Sequence, residues 1–161
     1  MRLDRPLVSV GVVTRNRPDE LARSLHYLRS QTYPALDIII SDNASDDPRV
    51  AEIAEAFTRE DPRARFVRQP KNIGPNHNFA YVIREAKAEL FLWWSDDDHR
   101  DPRFIEVLVN AMTPEATVAF CDFALVDGTD RLLKGYKHRY GSMIPFTSKS
   151  LLWRSMAYFL Q

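Results

Sequence analysis

The feature that most restricts this chain is a phrase written several times over: a short apolar, β-branched run, then a polar loop, then apolar residues at helical spacing. Leu7 to Val13 is the first such run; it ends at Thr14-Arg15-Asn16-Arg17, and after Pro18 and Asp19 the residues Leu21, Leu25 and Leu28 recur at i, i+4 and i+7. Leu36 to Ser41 repeats it, followed by the loop Asp42-Asn43-Ala44-Ser45-Asp46-Asp47 and a helical face of Val50, Ile53, Ala54 and Phe57 opened by Pro48. Ala64 to Val67 is a third strand, with a turn-rich loop from Gln69 to Asn78 and a face of Phe79, Val82, Ile83 and Ala86. Leu90 to Trp94 is a fourth, followed by Asp101 as N-cap, Pro102 at the first helical position, and a stripe of Ile105, Leu108, Val109 and Met112. Val118-Ala119-Phe120 reads as a fifth strand, and no element is placed between Gly128 and Lys149. The nearly continuous run Leu7 to Val13 suits a strand buried on both faces, and strands alternating with helices make an α/β fold with a mostly parallel sheet.

Right-handed crossovers put the carboxyl end of every strand on one side, so the loops after the strands gather at one rim, where open α/β sheets bind ligands. The chemistry of that rim is uneven. Acidic residues follow strands two and four, amide and basic groups follow strands one and three, and the sharpest concentration is Ser95-Asp96-Asp97-Asp98. Adjacent carboxylates repel one another, and a cation or cationic ligand relieves that repulsion; the alternative is that one Asp caps the next helix and the others are merely solvated. Carboxylates facing amide and basic groups suit a diphosphate ligand held through Mg²⁺ or Mn²⁺. Asp42 can accept from a nucleobase or ribose, or can bond its own loop backbone as a turn residue. His77 reads as surface chemistry, Cys121 as a small core hydrophobe, and Trp93 and Trp94 as core and rim packing.

Other classes are disfavoured. No G-x-G-x-x-G follows the first strand, and neither a Walker pattern nor a G-x-S-x-G elbow occurs. A phospho-receiver fold wants its acids after strands one and three, whereas here they follow two and four. Lys plus Arg and Asp plus Glu both number 22, so no net field draws the chain to nucleic acid. The single cysteine, the absence of an apolar leader over residues 1–6 and the lack of a membrane-length apolar stretch favour a cytoplasmic setting, which can include the inner face of the membrane.

Taken together, the segments Leu7 to Arg17, Ile39 to Asp47, Asn72-Ile73-Gly74 and Ser95 to Asp98 resemble, in order and spacing, the nucleotide-sugar-binding half of a family 2 glycosyltransferase with the Rossmann-like GT-A fold. The match covers about residues 7–127, within a single domain spanning 1–161 whose last part, 128–161, begins the acceptor side. The resemblance implies an inverting transferase that moves a sugar from a nucleoside-diphosphate sugar to a saccharide, lipid-linked or protein acceptor. By position it implies Thr14 and Asn16 at the base and ribose pocket, Asp42 on the base, and Asn72 and Gly74 shaping the nucleotide-side loop. Pro102 sets the register of the acidic motif: Ser95 stands where the family usually has its first Asp, Asp97 is the metal ligand, Asp96 a ribose or metal partner, and Asp98 a supporting carboxylate or second ligand. The family's general base comes from an acidic motif beyond the region of Cys121 to Gly128; Asp122 and Asp127 read as loop or strand-edge carboxylates, and no residue is assigned as base. An apolar, amphipathic stretch from Leu151 to Gln161 closes the sequence without Gly, Pro or a cap, which implies either a helix that ends frayed there or the front part of a longer protein. A binding module that holds a nucleotide sugar without catalysis is the alternative.

Overall fold

A computed structural model describes residues 5–97, 99–113, 116, 118–120, 123–126 and 132–136. It contains two compact units, 1–106 and 107–161. In the first, β1 (Val8–Thr14), α1 (Pro18–Arg29), β2 (Leu36–Asp42), α2 (Arg49–Glu60), β3 (Ala64–Arg68), α3 (Pro75–Arg84) and β4 (Leu90–Ser95) alternate as the sequence predicts, and α4 (Phe104–Ala111) begins at the end of this unit. The sheet is wholly parallel, in the order β3-β2-β1-β4. The chain builds outward from β1 to β3 and then returns to lay β4 on the other side of β1. The reversal makes the crevice between β1 and β4 the topological switch point of the sheet.

The core lies where the phrase is most apolar. Val10, Val12, Ile38, Ile39 and Ile40 are fully buried, as are Leu21 and Leu28 of α1 and Val50 and Ala54 of α2. On the crossover of opposite direction α3 comes so close to β1 that a side chain at Gly11 would put its Cβ 2.6 Å from Val82 Cγ2 and 2.8 Å from Phe91 Cζ. Glycine there is a packing requirement. The opposite rim is tied by charge: Asp37 accepts from Ser9 Oγ at 2.8 Å and is clamped by Arg65, and the Ser9 hydroxyl in turn accepts from the Lys87 and Ala88 amides at 3.0 Å.

Four expectations need correction. The face of α3 is not simply its apolar stripe, since Phe79 and Ile83 are each 38% exposed while Asn78 is buried. Asn78 is drawn in because it closes two hydrogen bonds on Ser41, accepting from its hydroxyl at 2.6 Å and donating to its carbonyl at 3.1 Å. Helix α4 starts two residues after Pro102, because Asp101 accepts the Arg103 amide at 2.8 Å on its side chain and the Phe104 amide at 2.9 Å on its carbonyl, making a turn first. Residues 118–120 form no strand; β5 (Phe123–Val126) takes that part, paired antiparallel with β6 (Leu132–Tyr136), which the sequence reading did not place. Pairing partner rather than apolarity selects which piece of a long apolar run becomes strand.

Candidate functional site

Three of the four strands of the first unit, β1, β2 and β3, are followed in their rim loops by a residue of positive φ. Asn16 after β1 and Ala44 after β2 sit in the left-handed region at φ 54° and 55°, and Gly74 after β3 takes φ 82°. Strain of this kind persists where the surroundings over-determine it, and here side chains of one loop hold the backbone of the next. Asn16 accepts the Asp46 amide at 2.7 Å and donates to the Asp46 carboxylate at 3.2 Å, while its own amide donates to Ser45 Oγ at 2.8 Å. Asn43 donates to Asn72 Oδ1 at 3.0 Å and accepts the Ile73 amide at 2.8 Å. Asn72 Oδ1 also accepts the Gly74 amide at 2.9 Å. The rim is therefore a laced edge rather than a row of independent loops.

Asp42, at the end of β2, is 0% exposed. Its Oδ1 accepts from the Ser45 amide at 2.9 Å and the Ser45 hydroxyl at 2.5 Å, the turn-bonding arrangement. Its Oδ2 takes no hydrogen bond from the protein and faces Arg68 Nε at 3.6 Å. Arg68 is itself steadied by the Ser45 carbonyl at 2.7 Å. One carboxylate oxygen thus holds the loop, and the other is turned towards a half-exposed guanidinium.

The acidic motif leaves β4 beside Thr14 of β1, since Val13 and Ser95 are register partners. Helix α1 fixes where it leaves: Ser24 Oγ accepts from the buried Trp94 indole at 2.8 Å and donates to the Ser95 carbonyl at 2.8 Å. Ser95 Oγ makes a very short hydrogen bond to Asp97. Asp96 is 5% exposed and Asp97 is open to solvent. Burial raises the pKa of Asp96, with the Thr14 hydroxyl and Arg17 pulling the other way, whereas the Ser95 hydroxyl and then Arg17 hold Asp97 below the usual carboxylate range. Neighbouring carboxylates pushed apart in this way are a recurrent feature of functional sites and also of structural ion-pair networks.

Sequence reasoning missed the cation already there. Arg17 Nη1 lies 3.1 Å from Asp96 Oδ1 and 3.1 Å from Asp97 Oδ2, bridging the two. Burial works against the charge on Arg17, but the two carboxylates outweigh it and raise its pKa. Asp98, the second metal ligand expected, lies outside the described residues, as do Cys121, Asp122 and Asp127. Among the described residues no cluster of three or more His, Cys, Asp or Glu side chains is arranged to hold a metal ion. Two carboxylates suffice for a hard cation that keeps its waters and binds substrate phosphates, and the guanidinium bridging them is a stand-in showing that the notch accepts positive charge. Asp96 and Asp97 therefore fit Mg²⁺ or Mn²⁺. The structure brings Thr14, Asp96 and Asp97 to one crevice, and places Asn16, Asp42, Asn72 and Gly74 along the adjoining loops.

The family model described as "Glycosyl transferase family 2" matches residues 9–159. The putative glycosyltransferase EpsH of Bacillus subtilis is 27% identical over 123 residues, 76% of this chain and 35% of that protein. The GalNAc(5)-diNAcBac-PP-undecaprenol beta-1,3-glucosyltransferase of Campylobacter jejuni is 33% identical over 95 residues, 58% of this chain and 30% of that protein. Among solved structures, the Pyrobaculum calidifontis mannosyltransferase PcManGT, in complex with GDP-Man and Mn²⁺, superposes with TM-score 0.61 at 24% identity over 70% of this chain and 34% of that one. S. aureus TarS 1-349 in complex with UDP-GlcNAc gives 0.58 at 21% over 63% and 29%. The chain spans less than half the length of these relatives.

Proposed function

The chain belongs to glycosyl transferase family 2 and has the GT-A fold, and from that premise we propose that it binds a nucleoside-diphosphate sugar and serves transfer of the sugar, with inversion, to an acceptor hydroxyl. The observation that carries this reading is the pair of carboxylates, Asp96 and Asp97, converging on one cation at the switch-point crevice. A divalent Mg²⁺ or Mn²⁺ held there would neutralise charge developing on the leaving diphosphate. Asp97, with its depressed pKa, is ionised at neutral pH and serves as the principal ligand; Asp98 serves as the second. Asp96 supports it from a buried position next to Thr14 and reaches the ribose or the cation. The unbonded, buried Oδ2 of Asp42 receives a donor from the base, with Asn16, Asn72 and Gly74 holding the loops that frame the nucleotide. Residues 7–127 form the donor half and 128–161 begin the acceptor half, where the base that deprotonates the attacking hydroxyl belongs. The undecaprenol-linked substrate in the name of the Campylobacter relative favours a lipid-linked acceptor, and with it a place at the inner face of the membrane, although no helix of the described residues is long and apolar enough to cross one.

Calorimetric titration with UDP and GDP, with and without Mn²⁺, tests this directly. Binding that requires Mn²⁺ and is lost or weakened at least tenfold in Asp97→Ala is expected, and chelation should abolish it. Unchanged binding in that variant refutes the metal assignment. Release of sugar from the donor, or its transfer, separates catalysis from a module that only binds.

A further inference from the structure

Resting on the metal reading above, we propose that Arg17 is a built-in counter-ion that holds Asp96 and Asp97 in place until a divalent cation takes over, so that cation loading and release of Arg17 are one event. The geometry is a competition for one notch. A single nitrogen, Nη1, touches Asp96 Oδ1 and Asp97 Oδ2 at the same 3.1 Å, so the point where the two oxygens converge is already filled. A cation bound about 2.1 Å from each oxygen would overlap that nitrogen and repel its charge.

A resident cation relieves the cost of this arrangement. Asp96 is nearly buried and Asp97 is its immediate neighbour, and a buried carboxylate without a partner is strongly unfavourable. Arg17 supplies that partner from the residue just before α1, and its half-exposed side chain has solvent to swing into. Its displacement leaves a planar fork of donors at the same rim, suited to phosphate oxygens. The divalent cation alone must then expel Arg17 unaided, whereas with a nucleoside diphosphate the expelled guanidinium gains a new partner. Cation and diphosphate should thus favour each other's binding through Arg17, and by the same factor in both directions.

The test is titration of Mn²⁺ alone into the full chain as wild type, Arg17→Gln, Arg17→Lys and Asp97→Ala, with thermal unfolding to check each fold. Removing the competitor should tighten Mn²⁺ binding roughly twofold to fivefold in Arg17→Gln, the scale of a partly exposed ion pair, while Arg17→Lys stays near wild type. A purely structural Arg17 predicts the reverse, because loosened carboxylates bind the ion less well. Equal or weaker Mn²⁺ binding in a folded Arg17→Gln overturns the handover. Should that variant not fold, the Arg17 Nε–Hε resonance of wild type is followed on adding Mg²⁺: it must shift as the guanidinium leaves, and a signal that stays put overturns the proposal. Mn²⁺ binding lost in Asp97→Ala but indifferent to Arg17→Gln refutes only the handover; absence of Mn²⁺ binding in every form, with UDP or GDP present as well as without, refutes the metal reading beneath it.

Discussion

Ser24→Ala is the substitution that most directly probes how the fold delivers its acidic motif. The Ser24 hydroxyl is 1% exposed and serves two partners, accepting from Trp94 Nε1 and donating to the Ser95 carbonyl, both at 2.8 Å. Trp94 is fully buried, so the alanine variant leaves an indole N–H with no water to replace its acceptor. A stranded buried donor costs about 1–3 kcal/mol, and loss of the second, partly buried bond adds about 0.5–1 kcal/mol. A total near 2–3 kcal/mol corresponds to a fall in Tm of about 4–12 °C for a chain of this size. Circular dichroism melts and urea titrations measure it. A double-mutant cycle with Trp94→Phe, which removes the donor, should show coupling of at least about 1 kcal/mol, because alanine no longer strands anything. The same variant should weaken Mn²⁺ binding, since Ser95 is the residue whose side chain bonds Asp97. A Ser24→Ala protein within about 0.5 kcal/mol of wild type, or an additive cycle, would refute the reasoning.

Gly11→Ala should destabilise by about 1–3 kcal/mol as its Cβ collides with Val82 and Phe91, and Val82→Ala in the same chain should recover part of that loss; simple addition in denaturant titrations would show that α3 does not rest on β1 as closely as 2.6 Å. Acid should weaken the fold through Asp37 and Asp61. Burial alone would raise Asp37, but Arg65 and the Ser9 hydroxyl together hold it low, and Arg63 does the same for Asp61. Folded values below the unfolded one of about 3.9 mean that this stability is complete above that pH and is lost as pH falls towards the depressed values. Asp37→Asn should flatten the melting temperature against pH over that range, and an unaltered slope would show that Asp37 is not the group responsible.

β1 and β2 were legible because they are apolar enough to be buried on both faces, and the half-buried β3 and β4 because each is followed by a loop dense in residues that end a strand and then by apolar residues at helical spacing. Thr14, Asp42, Asp96 and Asp97 were legible as rim residues for the same reason: alternation puts every strand's carboxyl end on one side, whatever the strand order. The edges were less so. Asp101 formed a turn before α4, Asn78 was buried for its bonds to Ser41, and β6 became a strand through its pairing with β5; each depends on a partner that periodicity does not report.

Arg17 shows most plainly where sequence stops. In the chain it is one basic residue in a polar loop, some 80 positions from the carboxylates it bridges. Only the return of β4 to lie against β1, rather than beside β3, brings the two loops together. Residue types and their order determined that an acidic motif stands at a ligand-binding rim, because local chemistry makes strands and turns. Tertiary structure alone decided that a cation from the loop after the neighbouring strand already holds it, because strand order is set by long-range packing that no local pattern records.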